Sequence, residues 1–138
     1  MVDPQTLRER VRARLAEQRA LVLRLLDLRE QLPGSLFARY GTCGKETCTC
    51  RTGAKHGPYL VLSTRSAGRG AFEYLEDAQA GEVRDLVSRH RQFQDGLRRL
   101  KKVNGEVVTL LKRYQSAMAK QGRKRMRAAA PSAQKSLL

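Results

Sequence analysis

Apolar side chains recur at three- and four-residue steps in two long stretches of the chain, and the pattern between them is different. In the first stretch Leu7, Val11, Leu15, Val22, Leu25, Leu28 and Leu32 mark one face of a helix over residues 4–32. Asp3 is placed to cap it and Pro4 to open it. Leu21, Leu23 and Leu26 widen the apolar face of its second half. Pro33 and Gly34 then stop it. In the last stretch Val83, Leu86, His90, Phe93, Leu97, Leu100, Asn104, Val107, Leu111, Tyr114 and Met118 keep a heptad seam from residue 78 to about residue 120. The seam is read as packing, against the first helix, a second copy, or both. Asn104 falls at its centre, where a polar residue sets register and oligomer state. His90 is read as a seam residue, with a distal metal ligand as the alternative.

Residues 35–75 follow a shorter period. Three strands are expected, over 36–40, 59–64 and 71–75, the last two joined by a glycine-containing loop over 65–70. The fold class is therefore α+β, mainly α. A helical segment, 1–33, leads into a small β module, 34–76. A longer heptad helix follows, 77–118, then a basic flexible tail, 119–138. The helices fold back as an antiparallel coiled-coil-like pair within one domain. A second copy would complete a four-helix arrangement, which makes a homodimer the expected state.

The β module contains the candidate chemistry. Cys43, Cys48, Cys50 and His56 read C-x4-C-x-C-x5-H, and they include all three cysteines of the protein. Thiolate plus imidazole is the donor set of a tetrahedral zinc site. Glycines surround these residues, as tight turns require. An odd cysteine count leaves one thiol over in any disulfide scheme within a monomer. The first thirty residues alternate arginine with aliphatics and lack the apolar core of a signal peptide, so a cytoplasmic location is expected. Structural zinc is the favoured reading. Incidental or redox thiols, and a nucleophilic Cys with a His base, are the alternatives. C-x-C is less usual than C-x2-C in joint ligation, so one of Cys48 and Cys50 can lie outside the ion's own shell, with another group or chain in its place.

Charge adds a partner class. The net charge is +15 over 138 residues. The excess lies in the cysteine module and in residues 119–138, which have six basic groups and no acid. This asymmetry points to a polyanion, and nucleic acid fits better than a membrane surface. No apolar run is long enough to span a membrane. The candidate phosphate contacts in the module are Arg39, Lys45, Arg51, Lys55, Arg65 and Arg69, the last two expected at an exposed loop tip. In the tail they are Lys120, Arg123, Lys124, Arg125 and Arg127. Tyr40, Tyr59, Phe72 and Tyr74 could stack on bases, but their alternation along strands favours a place in the core. The chain has 13 acids, none in a D-D-E or H-x-E pattern, and a closed Cys3His site offers no open coordination position. No enzymatic role is expected.

A set of short motifs carries a resemblance: Gly34, Ser35 and Leu36; Arg39 and Tyr40; Cys43, Gly44 and Lys45; Cys48 and Cys50; Gly53; and His56, Gly57, Pro58 and Tyr59. Over roughly residues 34–115 the chain resembles a family of small prokaryotic proteins with a domain of unknown function. The resemblance implies a zinc-type knuckle on Cys43, Cys48, Cys50 and His56, with Gly57, Pro58 and Tyr59 opening the next strand. Glu46 stands where that pattern often has proline, which affects the local turn. Proteins of this kind look like accessories of mobile elements. The expected function is thus a non-enzymatic, zinc-containing nucleic-acid-binding protein, with DNA favoured over RNA, serving a mobile element or phage system. The alternative is a coiled-coil adaptor that recruits a transposase, recombinase or nuclease without binding nucleic acid tightly itself.

Overall fold

The computed structural model describes residues 2–66 and 69–129, without the side chains of Ser66 and Arg69. Two helices enclose a three-stranded antiparallel sheet in the order of the chain, and the protein is mainly helical. The chain divides into two compact units, one drawn from Met1–Leu25 and Gly96–Leu138, the other from Leu26–Asp95.

Helix α1 spans Pro4–Asp27. Asp3 caps it as expected: its Oδ2 accepts from the amides of Gln5 (3.1 Å) and Thr6 (3.4 Å). The helix ends five residues before the expected stop. Pro33 excludes the α conformation at Leu32 and would clash with the carbonyl of Arg29 in a continuing helix. The chain instead turns at Arg29, which adopts a left-handed φ of 50°. The freed Leu32 amide donates to the Leu86 carbonyl at 3.0 Å.

Helix α2 spans Asp77–Ala129. Its start is closed reciprocally. Gln79 Oε1 accepts from the Glu76 amide at 3.0 Å, and the Gln79 amide donates to the Glu76 carbonyl at 2.9 Å. The expected end near residue 118 is corrected. Residues 119–129 are lysine, arginine, alanine, glutamine and methionine with one glycine, strong helix formers that simply continue the helix. Lys120, Arg123, Lys124, Arg125 and Arg127 therefore stand on helix, not on an irregular tail. Lys135 and the rest of 130–138 lie outside the described residues.

In the first unit α1 and α2 run antiparallel. Gly96 lies against Leu25, so closely that a Cβ there would collide with the leucine side chain. Arg99 pairs with Glu17, Gln18 donates to Asn104 Oδ1 at 2.8 Å, and Arg14 reaches Glu106 at 3.3 Å. Arg8 Nε donates to the Tyr114 hydroxyl at 2.9 Å, its guanidinium over the ring. The row of α2 that meets α1 is Gly96, Leu100, Val103, Val107, Leu110, Tyr114 and Ala117, with Val103 fully buried. It shares Leu100, Val107 and Tyr114 with the expected seam. Its other members replace Leu97, Asn104 and Leu111, all of which are exposed. Gly96 is small, which lets the Leu25 side chain lie directly against α2 at that point, and Val103 takes the buried place that the expected seam gave to Asn104. Asn104 is a surface residue, not a buried register lock.

In the second unit strands β1 (Ser35–Gly41), β2 (His56–Ser66) and β3 (Arg69–Leu75) form the sheet, with β2 central. Each is longer than the sequence pattern suggested. Pairing runs to Ser66 opposite Arg69, and the rest of the expected loop, residues 67–68, lies outside the described residues. Arg65 pairs with Gly70 within the sheet rather than standing in a loop. Leu36, Leu60, Leu62 and Leu75 share one face by alternation. Leu62 there is buried, and so are Val61 on the opposite face and Val87 on α2.

Candidate metal centre

The two ends of the site are set by the sheet. Gly41, the last residue of β1, pairs with His56, the first of β2, past an irregularity between Arg39 and Gly41. Cys43 follows β1 after Thr42 alone, so it is held beside His56. Gly57 makes this junction possible. Its φ is +127°, and a Cβ there would lie 2.8 Å from the Arg39 carbonyl oxygen, a position only glycine fills without strain.

The loop between them brings in the other two thiols. The Cys48 amide donates to the Lys45 carbonyl at 3.3 Å, closing one turn. A short 3-10 helix, Thr49–Arg51, follows, and the Gly53 amide returns to the Thr49 carbonyl at 2.7 Å. Lys55 Nζ donates to the Cys50 carbonyl at 2.8 Å and braces the turn. Cys50 is the one buried side chain of residues 42–55.

The four donor atoms all lie within 4.8 Å of one another. Cys43 and Cys50 are 3.6 Å apart at Sγ, and Cys48 Sγ is 3.1 Å from His56 Nε2. The three thiols form no disulfide. A tetrahedral ion with metal–sulfur bonds of about 2.3 Å holds two thiolates about 3.8 Å apart, close to the Cys43–Cys50 separation. Cys43, Cys48, Cys50 and His56 thus lie close enough to hold a metal ion, and three sulfurs with one imidazole suit zinc. Both Cys48 and Cys50 belong to the cluster.

The thiols differ in acidity. Cys48 is lowered to about 6, first by the Cys50 backbone amide, then by the Cys50, Cys43 and His56 side chains. Cys50 is raised. The Cys43 amide, 3.3 Å from its Sγ, pulls it down, but burial and the neighbouring thiols outweigh that. A bound cation would favour the thiolate at every position.

The candidate phosphate contacts fall in both units. Arg39, Lys45, Arg51, Lys55 and Arg65 are exposed in the second unit. The Arg69 side chain lies outside the described residues. Lys120, Arg123, Lys124, Arg125 and Arg127 are exposed in the first unit. Of these, Lys120, Arg123, Lys124 and Arg127 share one helix face by spacing. His90 is not among the clustered ligands.

The aromatic residues depart from expectation. Tyr40, Tyr59, Phe72 and Tyr74 are exposed rather than in the core, and Phe37, which sequence reasoning passed over, stands with three of them. The signal was the parity of the strands: leucines occupy one face, while rings and arginines occupy the other.

No helix among the described residues is long and apolar enough to cross a membrane. No curated protein and no solved structure matches the chain. A family model does match it, over residues 5–85, which takes in α1, the whole sheet and all four clustered ligands. The chain belongs to the family described as Domain of unknown function (DUF6788).

Proposed function

We propose that this is a non-enzymatic zinc protein that binds nucleic acid, DNA ahead of RNA, through basic groups that the metal centre helps to fix. The observation that carries the reading is the Cys3His cluster in a loop with no other buried side chain. A loop of that kind has no apolar core, so an ion is what would order it. Zinc held by four protein ligands has a structural role and keeps no open position for substrate. Arg39, Lys45 and Arg51 are near the ligands in sequence and exposed, and a basic face lies near the end of α2. A net charge of +15 supports a polyanionic partner. The motifs around the ligands support a role as an accessory of a mobile element or phage system, in the cytoplasm. A salt titration of binding to duplex DNA and to structured RNA tests the reading. Affinity should fall linearly on a log–log plot with salt. No binding to either polymer at about 50 mM salt and micromolar protein would refute it.

One observation favours the homodimer. Leu97, Val108 and Leu111 on α2, with Leu15 and Val22 on α1, are exposed on the helix pair. By spacing Leu97, Asn104, Val108 and Leu111 share a flank of α2, and Leu15 lines a groove with Leu111. Two adjacent seams on one helix suit two helical neighbours, α1 and a second copy of the chain. Sedimentation should then give twice the chain mass at micromolar concentration; a monomer throughout would leave this flank to solvent.

A further inference from the structure

The face of the sheet opposite the leucines has a composition that a solvent face does not need. Alternation places Phe37 and Arg39 of β1, Tyr59, Val61, Ser63 and Arg65 of β2, and Phe72 and Tyr74 of β3 on it. Phe37 and Tyr74 are the direct partners of Val61 on either side, Ser63 is opposite Phe72, and Tyr59 is opposite Arg39. Two edge-to-face ring pairs result. Phe37 and Phe72 reach across the central strand with centroids 6.0 Å apart, and Tyr59 and Tyr74 lie 6.2 Å apart. Val61 between them is fully buried, yet the rings themselves stay open: Phe72 is 62% exposed, Tyr74 56% and Tyr59 46%. Exposed aromatic groups of this size normally mark a binding surface.

The polar groups on the face say what would bind. Arg65 stands at one end of the ring band and Arg39 at the other, both exposed, and none of the paired positions on this face is acidic. Glu73 falls on the opposite face, level with Leu62. A purely apolar partner would leave two guanidinium groups with nothing to pair. A duplex hides its base faces within the stack and cannot use the rings. A single strand offers both parts, flat bases for the rings and phosphates for the arginines.

We infer that this sheet face is a stacking platform for single-stranded nucleic acid, with two successive bases on Phe72 and Tyr74 and the flanking phosphates at Arg39 and Arg65. Phe72 and Tyr74 are two residues apart on β3, a separation of about 7 Å, which lets each ring take its own base. Phe37 and Tyr59 support them from the edge. The inference rests on the nucleic-acid reading above and narrows it: the helical basic face and the knuckle would attract phosphate in any form, whereas the platform selects unpaired bases.

The test uses the full chain and a labelled oligothymidylate of about ten nucleotides, beside a duplex of equal length, in anisotropy titrations over a range of salt. Phe72→Leu with Tyr74→Leu keeps apolar cover over Val61 and removes both rings. It should weaken single-strand binding roughly 25-fold or more, at about fivefold or more per stacked base. The salt slope and the duplex affinity should stay unchanged. Arg39→Gln with Arg65→Gln should instead lower the single-strand slope by about 1.4. A readout that needs no variant supports these: the protein lacks tryptophan, so its emission comes from tyrosine, and stacking should quench it with oligothymidylate and not with duplex. Unchanged single-strand binding in the leucine variant overturns the platform, as does an equal loss of duplex binding. Loss of a dimer in that variant would assign the face to a second copy and overturn it too. If wild-type protein binds duplex but not single strand, the platform fails and the broader reading stands; if it binds neither, both fail.

Discussion

Cys48 and Cys50 are two residues apart, and their surroundings push their thiols in opposite directions. Cys48 lies in a ring of donors and is lowered to about 6; Cys50 is buried against other sulfur and is raised. In chelator-treated protein, alkylation by iodoacetamide should therefore reach Cys48 first, with a midpoint near pH 6, and Cys50 last. Peptide mass spectrometry across pH reads both. The sign for stability follows. A depressed thiol favours the fold above its unfolded value of about 8.5, and that contribution is lost as pH falls through about 6. Zinc should mask all three thiols until acid displaces it. Gly57 offers a second test. Gly57→Ala must hold an alanine at φ +127° with its Cβ 2.8 Å from the Arg39 carbonyl oxygen. It should cost about 1–3 kcal/mol in urea unfolding monitored at the sheet.

Packing of α1 on α2 turns on neighbouring residues whose roles the bare pattern reverses. Val103 is buried in the helix pair, and Asn104 beside it is exposed with a single hydrogen bond to Gln18. Val103→Ala should lower stability by about 2 kcal/mol. Asn104→Ala should change it by no more than about 1 kcal/mol, whereas a central register lock would show a large effect and a change of oligomer. Thermal unfolding of the two variants separates these outcomes. Periodicity made both helices, the three strands and the antiparallel pairing legible, because spacing of apolar residues is set by backbone geometry. It did not reveal which of two overlapping rows α1 would choose, since both rows carry apolar residues at three- and four-residue steps, and Gly96, which meets Leu25, gives no hydrophobic signal. The early end of α1 depended on Arg29 turning left-handed ahead of Pro33. The four clustered residues were legible because thiols and imidazole are rare in this chain, but the C-x-C spacing left open whether Cys48 and Cys50 stand together, which the structure shows they do. The exposed aromatic face was not legible, because ring residues in strands read as core until that face of the sheet is known to be open.

At the scale of the whole molecule, charge and the metal centre are separable. The α2 basic face has Lys120, Arg123, Lys124 and Arg127, with Arg125 turned away by spacing. Changing all five to glutamine keeps good helix formers and should reduce the duplex salt slope by roughly 3–5 units, while leaving metal content and sheet stability as they were. Removal of zinc should lower sheet stability and the share of the affinity that Lys45 and Arg51 supply, while the basic groups of α2 keep theirs. Cys43→Ser should loosen the knuckle and the β1–β2 junction that it follows, because site formation and local folding are coupled, and spare the α1–α2 pair of the other compact unit. Metal analysis of the intact protein, purified without added metal and without chelator, decides whether the Cys3His cluster holds structural zinc. One zinc per chain, absent from the Cys43→Ser variant, is expected. A metal-free wild-type protein whose sheet and knuckle are nonetheless folded would contradict it.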